Sequence, residues 1–156
     1  MSQEEFVDVL GGVFEHTPAI ASSTWLKRPF ADVTQLHQKM VEVVNSMSRS
    51  EQLALIKAHP DLGSKAKMAE ASVKEQASVG LDRLTKQQCD RFESLNGAYK
   101  HKFGFPLIIA VKNHTQTSIL AAFELRLDNS VDEEIEQAIA QITQIAHFRL
   151  LELFSH

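Results

Sequence analysis

The chain has 156 residues, of which 44% are hydrophobic and 23% are charged. This length and balance are typical of one globular domain, and they exclude wholesale disorder and collagen-like structure. With 16 basic and 20 acidic residues, the formal net charge is −4, so the strongly basic surface that nucleic acids or anionic membranes require is absent. We therefore expect a single domain over residues 1–156 that binds neither nucleic acid nor a membrane.

Cysteine usage and apolar run length indicate where the protein works. Cys89 is the one cysteine, so neither an intramolecular disulfide nor a Cys-based zinc site can form. The longest apolar run, residues 107–111, is far shorter than the ~20 residues of a membrane span. The first residues also lack the charged-then-apolar order of a signal peptide. We expect a reducing, cytoplasmic setting.

Helix-start signals recur along the chain. The capping-box pattern, a Ser, Thr or Asp followed three residues later by Glu or Gln, begins at Ser2, Asp32, Ser48, Ser72, Thr85 and Ser130. Apolar residues at helical spacing follow most of these caps, and another helix is expected from about Thr115. The last helix, from about Val131, carries an apolar stripe of Ile135, Ala138, Ile139, Ile142, Ile145, Ala146, Leu150 and Leu153.

One segment, Pro106–Val111, is predicted to be extended. It begins at a proline and is too short for a lone helix. Because one extended segment cannot build a sheet, the sequence predicts an all-α, single-domain multi-helix bundle with one short extended segment.

Arg149 departs from the helical pattern, because on a helical wheel it falls inside the apolar stripe of the last helix. In the more common interpretation for a helical arginine, its methylene groups cover the core while the guanidinium reaches solvent near the helix C-terminus. In the other, the guanidinium points inward and binds a carboxylate of the protein or of a ligand.

His59 is the second departure. Pro60 disfavours helical conformation in the residue before it, so a helix over residues 50–58 is expected to end at His59. At a helix C-terminus the dipole favours the protonated imidazole. By spacing alone, His59 simply terminates one helix and Asp61 caps the next. The functional interpretation is a proton donor or acceptor held on a rigid turn.

Two further segments carry weaker signals. The stretch Ser72–Gln76 is by itself only another capping box, although a helix N-terminus can also receive anionic or carbonyl groups. The run Leu107–Val111 can be a buried connector, an edge whose peptide groups bind an amide-rich small molecule, or both. The histidines show no metal-binding spacing, and no phosphate loop or dinucleotide motif occurs.

Together these segments resemble the 2-oxo-4-hydroxy-4-carboxy-5-ureidoimidazoline (OHCU) decarboxylases of urate degradation. The matching motifs follow the family order within residues 6–150: His59-Pro60-Asp61-Leu62-Gly63, Ser72-x-x-Glu75-Gln76, Asn96-x-x-Tyr99-x-x-Lys102-Phe103-Gly104-Phe105-Pro106, the apolar run after it, and Arg149-Leu150. One departure is Ala19, where members usually have tryptophan, which concerns the pocket's flank or packing rather than the catalytic residues.

The resemblance implies an all-helical homodimer that decarboxylates OHCU to (S)-allantoin, the last step from urate to allantoin, without metal or organic cofactor. It implies that His59 is the catalytic acid/base and that Glu75 and Arg149 are its essential polar partners. The substrate-lining residues that it implies are Pro60, Ser72, Val73, Lys74, Glu75, Gln76, Leu107, Ile108, Ile109, Ala110 and Val111, the last five largely through their backbone.

The implied chemistry suits these residue types. Loss of CO₂ leaves an electron pair on carbon, for which decarboxylases commonly recruit a cofactor. In OHCU the imine next to the carboxylated carbon can accept that pair, so the protein need only orient the carboxylate, stabilise the developing charge and deliver one proton. Periodicity alone leaves two alternatives open: a non-enzymatic helical adaptor and a metal-dependent hydrolase on an all-α scaffold.

Overall fold

The structure, a computed structural model, describes residues 2–63 and 70–154. In that part of the chain it contains eight α-helices and a short 3₁₀ turn at Val111–Asn113. The helices are α1 (Gln3–Leu10), α2 (Ala19–Trp25), α3 (Val33–Ser46), α4 (Arg49–Lys57), α5 (Glu70–Ser78), α6 (Lys86–Phe103), α7 (Gln116–Arg126) and α8 (Val131–Leu153). The described ranges contain no strand, which confirms the predicted all-α fold. None of the described helices is long and apolar enough to cross a membrane.

Side-chain caps start most of the helices where the sequence predicts them. The side chains of Ser2, Asp32, Ser48, Thr85, Thr115 and Ser130 each accept a hydrogen bond from the backbone N–H three residues later. Such a cap stabilises a helix by about 0.5–2 kcal/mol relative to alanine. The prediction for Ser72 is wrong, because α5 already begins at Glu70 and Ser72 lies inside the helix.

Three further differences from the sequence predictions have local causes. Helix α2 was not predicted, because its N-cap is Pro18 and no side chain caps it. Val111, which was expected to be extended, begins the 3₁₀ turn, although the residue before it is extended. Leu153, expected on the buried stripe, is 39% exposed in the last turn of α8.

Helix α8 organises the packing around the site. Helices α3 and α4 pack against it, while α1 packs against α2 and α2 against α3. Its buried face carries the predicted apolar residues from Ile135 to Leu150, and Arg149 lies on the same face. The core therefore surrounds a charged side chain, which must find its partners inside the protein.

Candidate active site

Arg149 points inward and is held by Glu75. Its side chain is only 5% exposed, so the interpretation in which the guanidinium reaches solvent is wrong. Nε and Nη2 each donate a hydrogen bond of 2.9 Å to one oxygen of the Glu75 carboxylate. This two-pronged pairing is the strongest geometry available between an arginine and a carboxylate, and it joins α8 to α5.

The remaining guanidinium donors also have protein acceptors. Nη2 lies 2.9 Å from the Ser72 hydroxyl and 3.2 Å from Glu15, and Nη1 lies 3.3 Å from the carbonyl oxygens of both Gly12 and Val13. Burial acts to lower the pKa of Arg149, but the hydrogen bonds and charges of Glu75 and Glu15 outweigh burial and raise that pKa. The guanidinium therefore stays charged and ties three separate segments together.

Glu15 is a site residue that the sequence reasoning missed. It lies in the turn after α1, its side chain is fully buried, and it accepts hydrogen bonds from the Ser72 hydroxyl and from Arg149. A fully buried carboxylate is rare unless it is paired. The available sequence signal is weak: an acidic residue directly after the apolar pair Val13 and Phe14.

His59 sits where Pro60 ends the helix, as predicted, and it is 8% exposed. Its Nδ1 lies 2.9 Å from the carbonyl oxygen of Leu55, one turn earlier in α4. Because a carbonyl oxygen only accepts hydrogen bonds, Nδ1 carries the proton. Nε2 is buried and has no hydrogen-bond partner among residues 2–63 and 70–154.

The imidazole of His59 is neutral at pH 7. Burial lowers its pKa from 6.5 to about 4, although the Leu55 carbonyl and the charge of Glu15 act in the opposite direction. The sequence left the protonation state of this histidine open. The helix dipole favours the protonated ring, but the loss of hydration outweighs the dipole. With its proton on Nδ1, the neutral ring has a free lone pair on Nε2, which makes that atom a base and a hydrogen-bond acceptor.

The loop after His59 is clamped from two helices. Asn96 of α6 donates a 2.9 Å hydrogen bond to the carbonyl of Leu62, and the backbone N–H of Gly63 donates to the Gln76 side chain of α5 at 3.0 Å. These bonds hold the turn that carries His59 at a set distance from α5. Residues far apart in sequence are thereby placed around one opening.

His59, Glu75 and Arg149 line a common cavity. The other lining residues are Pro60, Leu62, Ser72, Gln76, Leu107, Ile108, Ile109, Val111 and Ile145. The residues taken from the C-terminal end of α4, from α5 and from α8 thus converge, although they are separated by as many as 90 positions in the chain. Leu62 and Ile145 are lining residues that the sequence did not predict.

Three predicted lining residues lie outside this cavity. Val73 is 50% exposed, Lys74 lines a neighbouring larger cavity that shares Glu75 and Arg149, and Ala110 is buried elsewhere. Helix geometry explains the first two. At ~100° per residue, Ser72, Glu75 and Gln76 share one face of α5, while the two residues between Ser72 and Glu75 point away from it.

The backbone N–H and C=O of Ile109 lie in a segment that lines the cavity, and we call these two groups the peptide edge. Within residues 2–63 and 70–154, neither its N–H nor its C=O makes a hydrogen bond to the protein. Its neighbours are held: the Ala110 N–H donates to Gln141 at 2.9 Å, and the Ile108 carbonyl accepts from Arg126 at 2.5 Å. Unpaired peptide groups in a buried segment are rare, so this edge is suited to binding a polar ligand.

No metal centre is evident in the described part of the chain, where no group of three or more His, Cys, Asp or Glu residues is placed to hold an ion. The site combines the neutral imidazole of His59, the Glu75 carboxylate, the Arg149 guanidinium and a peptide edge that is unpaired within the described ranges around a small cavity. Glu15 contacts the guanidinium without lining the cavity. Such an arrangement defines an enzyme that performs acid–base chemistry on a small polar molecule.

Comparison with known proteins gives this enzyme its family. The family described as OHCU decarboxylase matches residues 1–151. The 2-oxo-4-hydroxy-4-carboxy-5-ureidoimidazoline decarboxylase of Halalkalicoccus jeotgali is 44% identical over 97% of this chain and 86% of its own length. The uric acid degradation bifunctional protein of Bacillus subtilis is 41% identical over 99% of this chain and 31% of its own length.

A solved structure agrees with the sequence comparisons. The crystal structure of an (S)-allantoin synthase superimposes with a TM-score of 0.80 at 32% identity, covering 98% of this chain and 51% of that one. The chain therefore belongs to the OHCU decarboxylase family, a family of carboxy-lyases. The resemblance found in the sequence motifs is confirmed.

Proposed function

We propose that the protein decarboxylates OHCU to (S)-allantoin, the last step from urate to allantoin, and does so without a metal or organic cofactor. The observation that carries this proposal concerns His59, which lines the same cavity as Glu75 and Arg149 and whose buried Nε2 has no hydrogen-bond partner in the described part of the chain. A buried nitrogen without a hydrogen-bond partner costs about 1–3 kcal/mol, and a ligand proton in the cavity would remove that cost.

His59 enters the reaction as a base. When the bond between the ring carbon and the carboxylate breaks, CO₂ leaves and the electron pair of that bond moves through the ring to the imine nitrogen. The nitrogen then takes one proton from solvent. The resulting enol transfers its hydroxyl proton to Nε2 of His59. The charged imidazolium then returns a proton to the neighbouring ring carbon from one face, which leaves the carbonyl of allantoin and sets its configuration. A positioned acid/base of this kind contributes about 10²–10⁴-fold.

Glu75 and Arg149 act as a unit. Arg149 fixes the Glu75 carboxylate through two hydrogen bonds, and each oxygen of that carboxylate retains lone-pair capacity for a hydroxyl or ureido N–H of the substrate. An anionic or carbonyl oxygen of the substrate reaches Arg149 by replacing a protein acceptor. The two carbonyl contacts at 3.3 Å, to Gly12 and Val13, are the longest and the most readily exchanged.

The remaining lining groups position the ring. The N–H and C=O of Ile109, which make no hydrogen bond within the described ranges, match the alternating donors and acceptors of a ureido or cyclic amide group. Pro60 and the apolar side chains of Leu107, Ile108, Ile109 and Val111 exclude water, which strengthens each polar contact in the cavity.

The deciding experiment supplies freshly generated OHCU and follows its absorbance and optical activity against the spontaneous rate. Enantiopure (S)-allantoin is expected with the protein, since unassisted decay gives a racemate. His59→Asn retains an amide nitrogen able to reach the Leu55 carbonyl but has no group at the Nε2 position, so kcat should fall about 10²–10⁴-fold while the fold persists. His101→Asn, on the exposed side of α6, is the matched control and should have wild-type activity. Wild-type turnover by folded His59→Asn would refute the assignment.

Further properties implied by the family resemblance are proposed with it. We infer a cytoplasmic homodimer of single-domain chains. Leu26 and Leu125 are each 74% exposed, which supplies apolar surface of the kind that subunit contacts cover. Light scattering should give twice the monomer mass, and a monomer at micromolar concentration would contradict the dimer. A single cooperative unfolding transition of the chain is expected for one domain.

A further inference from the structure

A second buried charged cluster lies behind the cavity wall. Arg126, at the end of α7, donates from Nε to Oε1 of Glu134 in α8 at 2.7 Å. The Tyr99 hydroxyl of α6 donates to the same oxygen at 2.5 Å, and Asn129 donates to Oε2 at 2.8 Å. Tyr99 and Glu134 have no exposed surface, and burial raises the pKa of Tyr99, so its hydroxyl remains a donor. We call these four residues the Arg126 cluster.

The Arg126 cluster reaches the candidate active site through one backbone oxygen. Nη1 of Arg126 donates a 2.5 Å hydrogen bond to the carbonyl of Ile108, a residue that lines the cavity. The same peptide unit contains the N–H of Ile109, which makes no hydrogen bond within the described ranges. A buried ion pair is thus connected to an unpaired donor at the cavity wall.

Because the peptide unit is rigid, the hydrogen bond from Arg126 to the Ile108 carbonyl also fixes the direction of the Ile109 N–H. The six atoms of a trans peptide lie in one plane, with the C=O and N–H pointing in opposite directions. When Arg126 holds the Ile108 oxygen on the core side, the Ile109 N–H must point away from the cluster. The guanidinium charge also polarises the peptide, which strengthens the N–H as a donor.

Stability alone does not account for the Arg126 cluster. Replacing a buried ion pair with apolar residues of similar size is often neutral or stabilising, so an apolar contact could fill this space at no loss. An apolar contact would not hold a carbonyl in one direction, whereas the rigid fork of an arginine does.

We propose that Arg126 is a positioning residue that aims and polarises the Ile109 N–H toward a carbonyl or anionic oxygen of the substrate. Glu134, Tyr99 and Asn129 in turn hold its guanidinium in place. This inference rests on the proposed function, because it assigns the oxygen-binding donor of that same cavity. A donor directed at an oxygen where charge develops stabilises the transition state more than the bound substrate.

The test replaces the ion pair by apolar side chains. Arg126→Met/Glu134→Leu should fold, since no charge is left unpaired. Because the Ile109 N–H is misdirected rather than removed, kcat/KM for OHCU should fall about 10–100-fold, less than the roughly 10²–10³-fold loss on removal of one such donor. The pH dependence that His59 imposes should not change. The matched control is Arg91→Gln/Glu124→Gln, which removes an exposed 2.6 Å ion pair between α6 and α7 and should have wild-type activity.

Amide hydrogen exchange gives a readout that does not depend on turnover. In the wild type, added (S)-allantoin should slow exchange of the Ile109 amide, and in the double variant this protection should be lost or strongly reduced. Wild-type kcat/KM and undiminished protection in the folded double variant would overturn the proposal. If the wild type turns over no OHCU, the proposed function itself fails, which is a separate result.

Two single substitutions keep the proposal testable should the double variant not fold. Tyr99→Phe and Asn129→Ala each remove one hydrogen bond to Glu134 and leave both charges in place. Each should lower kcat/KM severalfold and weaken Ile109 protection by allantoin. Wild-type values in both would refute a positioning role for the Arg126 cluster.

Discussion

Because His59 is buried as a neutral ring, the free energy of unfolding should decrease in acid. The His59→Asn variant should lack this contribution. The pKa of this histidine falls from 6.5 when hydrated to about 4 in the folded protein, a difference of about 2.5 pH units. Below pH 6.5 the unfolded chain binds a proton at His59 that the folded protein does not, so the free energy of unfolding decreases as the pH falls. At about 1.4 kcal/mol per pH unit, the loss reaches about 3 kcal/mol near pH 4 and then levels off.

Urea denaturation between pH 7 and pH 4 measures this effect. The free energy of unfolding of the wild type minus that of His59→Asn should decrease by about 3 kcal/mol across the range, because the carboxylates common to both proteins cancel. A difference that is independent of pH for His59→Asn would show that the folded protein protonates His59 as readily as the unfolded chain does. That result would refute the neutral base on which the proposed mechanism depends.

The remaining predictions concern stability and metal dependence. Arg149→Met should lower the free energy of unfolding by about 3–5 kcal/mol, because buried carboxylates lose their cation. Adding Glu75→Gln to Arg149→Met should restore part of the lost stability. A loss below about 1 kcal/mol for Arg149→Met in urea denaturation would contradict the pairing. Gly97→Ala, inside α6 with open space around the new methyl group, should stabilise by about 0.5–1 kcal/mol. Gly104→Ala, at a left-handed φ of 79°, should destabilise by about 1–2 kcal/mol, and thermal melts that order the two variants otherwise would contradict this. Exhaustive dialysis against EDTA should leave OHCU turnover unchanged, and a loss reversed by a divalent cation would contradict a cofactor-free reaction.

Local chemistry explains why much of the helix pattern could be predicted from the sequence. The caps at Ser48, Thr85 and Ser130 involve partners only three residues away, so the sequence contains both members of each pair. The end of α4 before His59 likewise follows from the adjacent Pro60. The inward position of Arg149 was one of two interpretations of the helical wheel, and its burial with Glu75 decided between them.

Where partners are distant in the chain, prediction failed or was incomplete. The Ser72 pattern matched a capping box, yet its hydroxyl is used between Glu15 and Arg149. Glu15 itself was missed because nothing near it in sequence indicates a partner 134 positions away. The protonation of His59 stayed open at the level of sequence, since the helix dipole can be inferred locally whereas the extent of burial cannot.

By itself the sequence determined an all-α chain, most of its helix starts, and, through the order of its motifs, membership of the OHCU decarboxylase family. Only the tertiary structure decided which faces of those helices enclose the cavity and that His59 is neutral there. It also decided that the peptide groups of Ile109 beside the cavity have no partner in the part of the chain that it describes. The physical reason is the distance along the chain over which each effect acts. Capping and helical periodicity act over a few residues, whereas desolvation and buried ion pairs depend on everything that packing brings within a few ångströms.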